Sequence, residues 1–149
     1  MISVARDDPQ VEILLVEDNL GDIRLTVEAL KSAKVNGRLH TVRNGQEAME
    51  FLWREGSYAE APRPQIVLLD LNLPKKSGRE VLREIKADSS LRSIPVIILT
   101  TSGDPDDIAQ SYSLYANCYV RKPLELASFH DVVRKIDEFW LSIARLPEA

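Results

Sequence analysis

Four polar residues each stand at the end of a short apolar run, and together they would make a reactive set. Asp70 closes Ile66-Val67-Leu68-Leu69, the acidic pair Glu17-Asp18 closes Val11–Val16, Thr100 closes the run that begins at Pro95, and Lys122, followed by Pro123, closes a run through Tyr119-Val120. If these runs are parallel strands of one sheet, the carboxylates, the hydroxyl and the ammonium meet at one edge. A carboxylate nucleophile beside an acidic pocket, a neutral donor and a point cation is suited to holding a phosphoryl group on Asp70 next to a divalent cation. Three carboxylates so close should raise at least one pKa when no metal is bound.

The elements that would position them are legible as alternating apolar runs and helical stretches. Strands are expected at Val11–Val16, Arg38–Val42 (weaker, at a sheet edge), Ile66–Asp70, Pro95–Thr100 and Cys118–Arg121. Helices are expected from about Leu20 to Ala33 with Ile23, Val27 and Leu30 on one face, from Asn44 to about Arg54, and over Gly78–Ala87. Two more run from Asp104-Pro105 to near Tyr115, and from about Glu125 to Arg145. Asn44 with Glu47 reads as a capping box, and Asp104-Pro105 as an N-cap followed by a first-turn proline. Residues Glu55–Pro64 read as an exposed loop. Strand–helix alternation implies right-handed crossovers and a parallel sheet covered on both faces, so the fold class is α/β with five strands and five helices. In such sheets, sites form at the carboxyl ends of the strands.

Composition bounds the function. The chain has 149 residues, is 44% hydrophobic and 28% charged, and carries a formal net charge of −4; that is about one domain with a core to bury. It has no basic block, so nucleic-acid binding is not expected, and no apolar run long enough for a bilayer. One cysteine, Cys118, rules out an internal disulfide framework and fits a cytoplasmic setting. Residues 1–10 are polar and are expected to be a flexible N-terminal segment, with one domain over 11–146 and no output domain after it. Cys118 is expected in the core, Trp53 against the sheet or the loop that follows it, and Asp104 and Asp106 as first-turn acids favoured by the helix dipole. His40 and His130 lack metal-ligand spacing.

The order, the run Asp70-Leu71-Asn72-Leu73-Pro74, and the steps of 30 residues from Asp70 to Thr100 and 22 from Thr100 to Lys122 resemble the receiver domain of two-component response regulators. The stretch Val16-Glu17-Asp18-Asn19-Leu20-Gly21-Asp22, the loop around Tyr58–Pro64 and the ending Glu138-Phe139-Trp140-Leu141 further resemble the single-domain regulators paired with bacterial phytochrome kinases. The resemblance implies a flavodoxin-like, CheY-like three-layer sandwich with strand order 2-1-3-4-5. It implies Mg²⁺ held directly by Asp18, Asp70 and the backbone carbonyl of Asn72, with Glu17 acting through water. It also implies phosphoryl-stabilising roles for Lys122, Thr100 and Thr101, a switch made by Thr100 and Tyr119, and a cis Lys122–Pro123 bond.

The partners it implies are a sensor histidine kinase of phytochrome type, a histidine phosphotransfer or effector protein, and a second copy of the chain. The last expectation also has a physical basis: the final turns of a helix of some 21 residues should overhang the domain, carrying Phe139, Trp140 and Ile143 into a dimer face. Two rival functions fit the residues less well. A Mg²⁺-dependent phosphohydrolase working through an aspartyl phosphate would want a second Asp at position 72, which is Asn72, and would place its nucleophile after the first strand rather than the third. A flavin or nucleotide binder would meet repulsion from the acidic loop Glu17–Asp22.

Overall fold

Period-two apolar patterning on both faces of the strands explains the architecture. In the computed structural model, which describes residues 10–33 and 36–148, β1 (Val11–Val16), β2 (Gly37–Val42), β3 (Ile66–Leu69), β4 (Val96–Thr100) and β5 (Cys118–Arg121) form one parallel sheet in the order β2-β1-β3-β4-β5. Successive residues of the central strands belong to opposite cores. Leu14, Val16, Val67, Leu69, Val96 and Ile98 pack on one face, under α2 (Gly45–Trp53) and α3 (Gly78–Ala87). Ile13, Leu15, Ile66, Leu68, Ile97 and Leu99 pack on the other, under α1 (Leu20–Ser32) and α5 (Leu126–Glu138). Each fully buried aliphatic side chain of this kind contributes about 1.5–3 kcal/mol. The expected segment 1–10 lies, but for Gln10, outside the described residues.

Capping residues set the helix starts. Asn19, Asn44, Ser77 and Asp104 each accept a backbone N–H of the first turn, from Asp22, Glu47, Glu80 and Asp106. Glu47 reaches back to the amide of Arg43, one residue before the cap, and α4 (Pro105–Ser113) opens with proline in its first turn. Helix α1 differs from expectation. Thr26 and Ala29 are its buried residues, with Ile23, Leu25 and Leu30 half-buried beside them, and Val27 is not in the core. The small side chains lie where α1 meets α5.

Three local expectations are corrected. Trp53 does not pack on the sheet; it is 42% exposed and its indole N–H donates to Asp88 after α3. The loop after α2 is not wholly solvated, because a short 3₁₀ turn at Gly56–Tyr58 stacks Tyr58 on Phe51. No peptide bond among the described residues is cis, so Lys122–Pro123 has the trans form that X-Pro bonds ordinarily favour.

The C-terminal helix does not continue straight. Its last turn, Phe139–Ile143, is a π-turn closed by the amide of Ala144 on the carbonyl of Phe139, 2.7 Å. The wider turn changes which way its side chains face. Trp140 and Leu141 fold onto the core under α1 and α5, while Phe139 is 50% and Ile143 70% exposed. Trp140 is therefore half-buried on its own domain rather than standing free in an overhang. At the opposite sheet edge, the Tyr112 hydroxyl of α4 accepts the backbone N–H of Tyr119 on β5, 3.1 Å.

Candidate functional site

Strand register assembles the site. Val16 lies opposite Leu69, Leu69 opposite Ile98, and Thr100 opposite Arg121. The next residues of β1, β3 and β5 are Glu17, Asp70 and Lys122, so they converge beside Thr100 at the carboxyl end of the sheet. Backbone bonds continue the ladder here: Asp70 donates to Val16, Glu17 to Val42 and Lys122 to Thr100. Two glycines let the loops close over this edge. A Cβ on Gly78 would lie 2.0 Å from the carbonyl oxygen of Asp70, and one on Gly45 would lie 2.0 Å from that of Lys76. Only glycine lets α2 and α3 begin so close to the loop that follows Asp70.

Lys122 is the centre of the charge arrangement. Its side chain is only 3% exposed, and its ammonium bonds Glu17 Oε1, Asp22 Oδ2 (2.9 Å) and Asp70 Oδ2 (3.0 Å). These bonds occupy its three N–H donors. Burial works against the charge of Lys122, but the hydrogen bonds of Glu17 and Asp22 and the charge of Asp70 outweigh it and hold the ammonium above the ordinary lysine range. Glu17, equally buried, is pushed up to about 7 by burial, against the pull of Lys122 and with the help of the Asp70 charge. Ligand oxygens of Glu17, Asp18 and Asp70 all lie within 4.8 Å of one another. The second oxygen of Asp70 accepts the amide of Asn72, 3.2 Å.

The remaining expected residues are placed as follows. Thr100 is fully buried, and its hydroxyl has no hydrogen-bond partner. Thr101 is exposed beside it. Tyr119 is half-buried against the core, and its hydroxyl donates to the carbonyl of Ser102, 2.8 Å. Phe139, Trp140 and Ile143 lie at the end of α5, on none of the strand ends that make the site.

Sequence reading missed four participants. Asp22, in the first turn of α1, reaches Lys122 across 100 residues of chain. Arg43 donates to the carbonyl of Asp18, 2.9 Å, and so steadies the acidic loop. Ser102 and Arg79 both donate to the Asp107 carboxylate, at 2.5 and 2.6 Å, tying the loop that holds Tyr119 to α3 and α4. An acid four residues after Asp18, on the helix face that starts at the site, was the one available signal for Asp22.

Residues 13–134 match the response regulator receiver domain family. The chain is 48% identical over 142 residues to the response regulator Rcp1 of Synechocystis sp., covering 95% of this chain and 97% of that one. It is 42% identical to the probable methanogenesis regulatory protein FilR2 of Methanothrix harundinacea, covering 95% and 90%. The crystal structure of the Mn²⁺-bound form of Rcp1 matches with a TM-score of 0.90 over 93% of this chain and 99% of that one. The phosphorylated cyanobacterial phytochrome response regulator RcpA, 54% identical, matches with a TM-score of 0.91 over 94% and 100%.

Proposed function

The chain belongs to the response regulator receiver family and is a two-component response regulator, and from that premise we propose that Asp70 is its phosphoacceptor. The observation that carries the proposal is the buried Lys122 ammonium bound to Asp70, with Glu17 and Asp18 beside them and the unpartnered Thr100 hydroxyl at the end of the next strand. We place the receiver unit at residues 11–146.

In this reading an Asp70 carboxylate oxygen attacks the phosphorus of a phosphohistidine on a sensor kinase. The P–O bond forms as the P–N bond breaks, and the imidazole nitrogen keeps the electron pair. Phosphorylation removes the carboxylate charge of Asp70 and offers the Lys122 ammonium a phosphoryl oxygen as acceptor. The Thr100 hydroxyl, paired with nothing in this structure, gains an acceptor in a second phosphoryl oxygen, and Thr101 lines the same opening. A buried hydroxyl without a partner costs about 1–3 kcal/mol, so pairing it favours the phosphorylated arrangement. Tyr119 follows Thr100 because the loop between them carries the Ser102 carbonyl that holds its hydroxyl.

The donor set fits a hard divalent cation: three carboxylates close together, Glu17 and Asp70 buried and Asp18 half-buried, whose negative charge exceeds that of the Lys122 ammonium beside them. Asp18, Asp70 and the carbonyl of Asn72 would hold Mg²⁺, with Glu17 acting through water. When bound, the ion supplies the positive charge that lets an anionic donor approach a carboxylate.

The phosphohydrolase alternative is not favoured, since Asn72 stands where its acid would be. Likeness to RcpA supports a phytochrome-type histidine kinase as the phosphoryl source. The signal would leave through a changed surface, read by an effector or phosphotransfer protein or by a second copy meeting the exposed Phe139 and Ile143 beside Trp140. No described helix is long and apolar enough to cross a membrane, and a cytoplasmic place is part of the proposal. The test is incubation with Mg²⁺ and acetyl phosphate followed by intact mass. One phosphoryl group should be added to the wild type and none to Asp70→Asn. Equal labelling of the two would refute the assignment.

A further inference from the structure

Asp22 is the member of the Lys122 cluster for which the phosphoacceptor reading has no use, and its geometry is not that of an ordinary first-turn acid. Its backbone already completes the start of α1: its N–H is bonded to the Asn19 side chain and its carbonyl accepts the Thr26 hydroxyl. Its carboxylate does something separate, turning into the sheet edge to take the Lys122 ammonium at 2.9 Å. An ammonium has three donors. Glu17, Asp22 and Asp70 use all three, so a phosphoryl oxygen can be received only if one bond is given up.

The three partners differ in what release would involve. The Glu17 side chain is 3% exposed and the Asp70 side chain 9%, so neither carboxylate, set loose, can turn out to bulk solvent. The Asp22 side chain is 24% exposed and can return to water. Its bond is therefore the one that yields. Until it does, Asp22 keeps Lys122 on the α1 side of the site and adds a negative charge where an anionic donor must approach.

We propose that Asp22 is a positioning residue that holds Lys122 back from the incoming phosphoryl group, and so slows phosphoryl transfer to Asp70. The proposal rests on the Asp70 reading. It assigns a restraint to a residue outside the metal pocket and the phosphoryl-binding set.

The experiment compares phosphorylation by acetyl phosphate at saturating Mg²⁺ in the wild type, Asp22→Asn and Asp22→Glu, each also made in a Lys122→Gln background. Asp22→Asn keeps the shape and removes the charge. It should raise the rate roughly three- to tenfold, the scale on which one charge-assisted bond replaces another. Asp22→Glu should return the rate to near the wild-type value. In the Lys122→Gln background, Asp22→Asn should give no increase, because nothing remains to be released. An equal gain in that background would show that Asp22 acts as a bare charge and would overturn the positioning role. A rate that is unchanged or lower in Asp22→Asn, with or without a lower thermal midpoint, would overturn the proposal outright. Asp22→Ser, judged by the same criteria, replaces Asp22→Asn should that variant not fold. If the wild type itself takes no phosphoryl group, the Asp70 reading fails; if it does and the variants disobey, only the role of Asp22 fails.

Discussion

Replacing Gly78 with alanine should damage both the fold and the site, although helix propensity alone argues the opposite. Gly78 is the first residue of α3, behind its cap Ser77, where alanine would ordinarily stabilise by about 0.5–1 kcal/mol. Here the new Cβ would stand 2.0 Å from the carbonyl oxygen of Asp70 and 2.7 Å from the Cα of Leu71, against an ordinary contact of 3.4 Å or more. The two must part by roughly 1.4 Å. Both obstructing atoms are backbone, so no flexible side chain can give way. Overpacking costs typically about 1–3 kcal/mol, and the net loss should be about 1–2 kcal/mol. The displaced residue is the proposed phosphoacceptor, and misplacement by about 1 Å can cost on the order of 100-fold in rate. Urea unfolding measures the first effect and the rate of labelling by acetyl phosphate the second. Gly21→Ala is the control: its Cβ would meet only the Asn19 side chain, at 3.2 Å, a contact that a shift of a few tenths of an ångström relieves, and stability should change by no more than about 0.5 kcal/mol in either direction. A Gly78→Ala protein as stable as the wild type and labelled within a factor of about two would refute the reasoning from close approach.

Thr100→Val should raise stability by about 1–2 kcal/mol, because it removes a fully buried hydroxyl that has no partner, while weakening any phosphate-dependent change; a lower urea midpoint would show that the hydroxyl is satisfied in solution. Asp137, buried in α5 with a carboxylate oxygen unpartnered, is pushed up to about 7 by burial and the neighbouring Glu138 charge. Because its folded value exceeds its unfolded one, its contribution is fully present below about pH 4 and is lost as pH rises through 7. Wild-type stability should therefore fall relative to Asp137→Asn between pH 5 and pH 8, by on the order of 2 kcal/mol, and parallel pH curves for the two proteins would contradict this. Replacing Phe139 and Ile143 with serine should weaken self-association in sedimentation with little change in stability, whereas Trp140→Ala should cost about 1–3 kcal/mol; association unaffected by the serine pair would remove those residues from the interface.

The parts of the fold written in local pattern were readable from the chain. Strand β5 and helix α3 fall on the residues expected, and the three-residue spacing of Asn44 and Glu47 marks a real cap, because each depends on neighbours in sequence. The meeting of Glu17, Asp18, Asp70 and Lys122 was also legible, since parallel register carries residues at equivalent strand ends to one edge. What escaped depends on distant groups. The buried line of α1 runs through Thr26 and Ala29, small residues whose place is decided by α5, not by hydrophobicity. Asp22 carries no mark distinguishing a carboxylate in water from one turned toward an ammonium 100 residues away. The π-turn at Phe139–Ile143 alters helical spacing within a single turn, which a fixed period cannot register, and it moved Trp140 from an expected overhang to the domain's own surface.

The Tyr112 hydroxyl on the amide of Tyr119 bears on how copies of this protein can add to one another. An uncovered outer strand is a template: its free amides can pair with another chain, and the addition presents a new edge, so growth has no natural end. Here α4 lays a phenol over β5 and takes one of those amides. That amide is then not offered for copying, and a copy meeting the face at this point must do so through side chains. Where such side-chain contacts are self-complementary, they close on themselves and stop at a fixed number of subunits, which suits a signal that must be reversed.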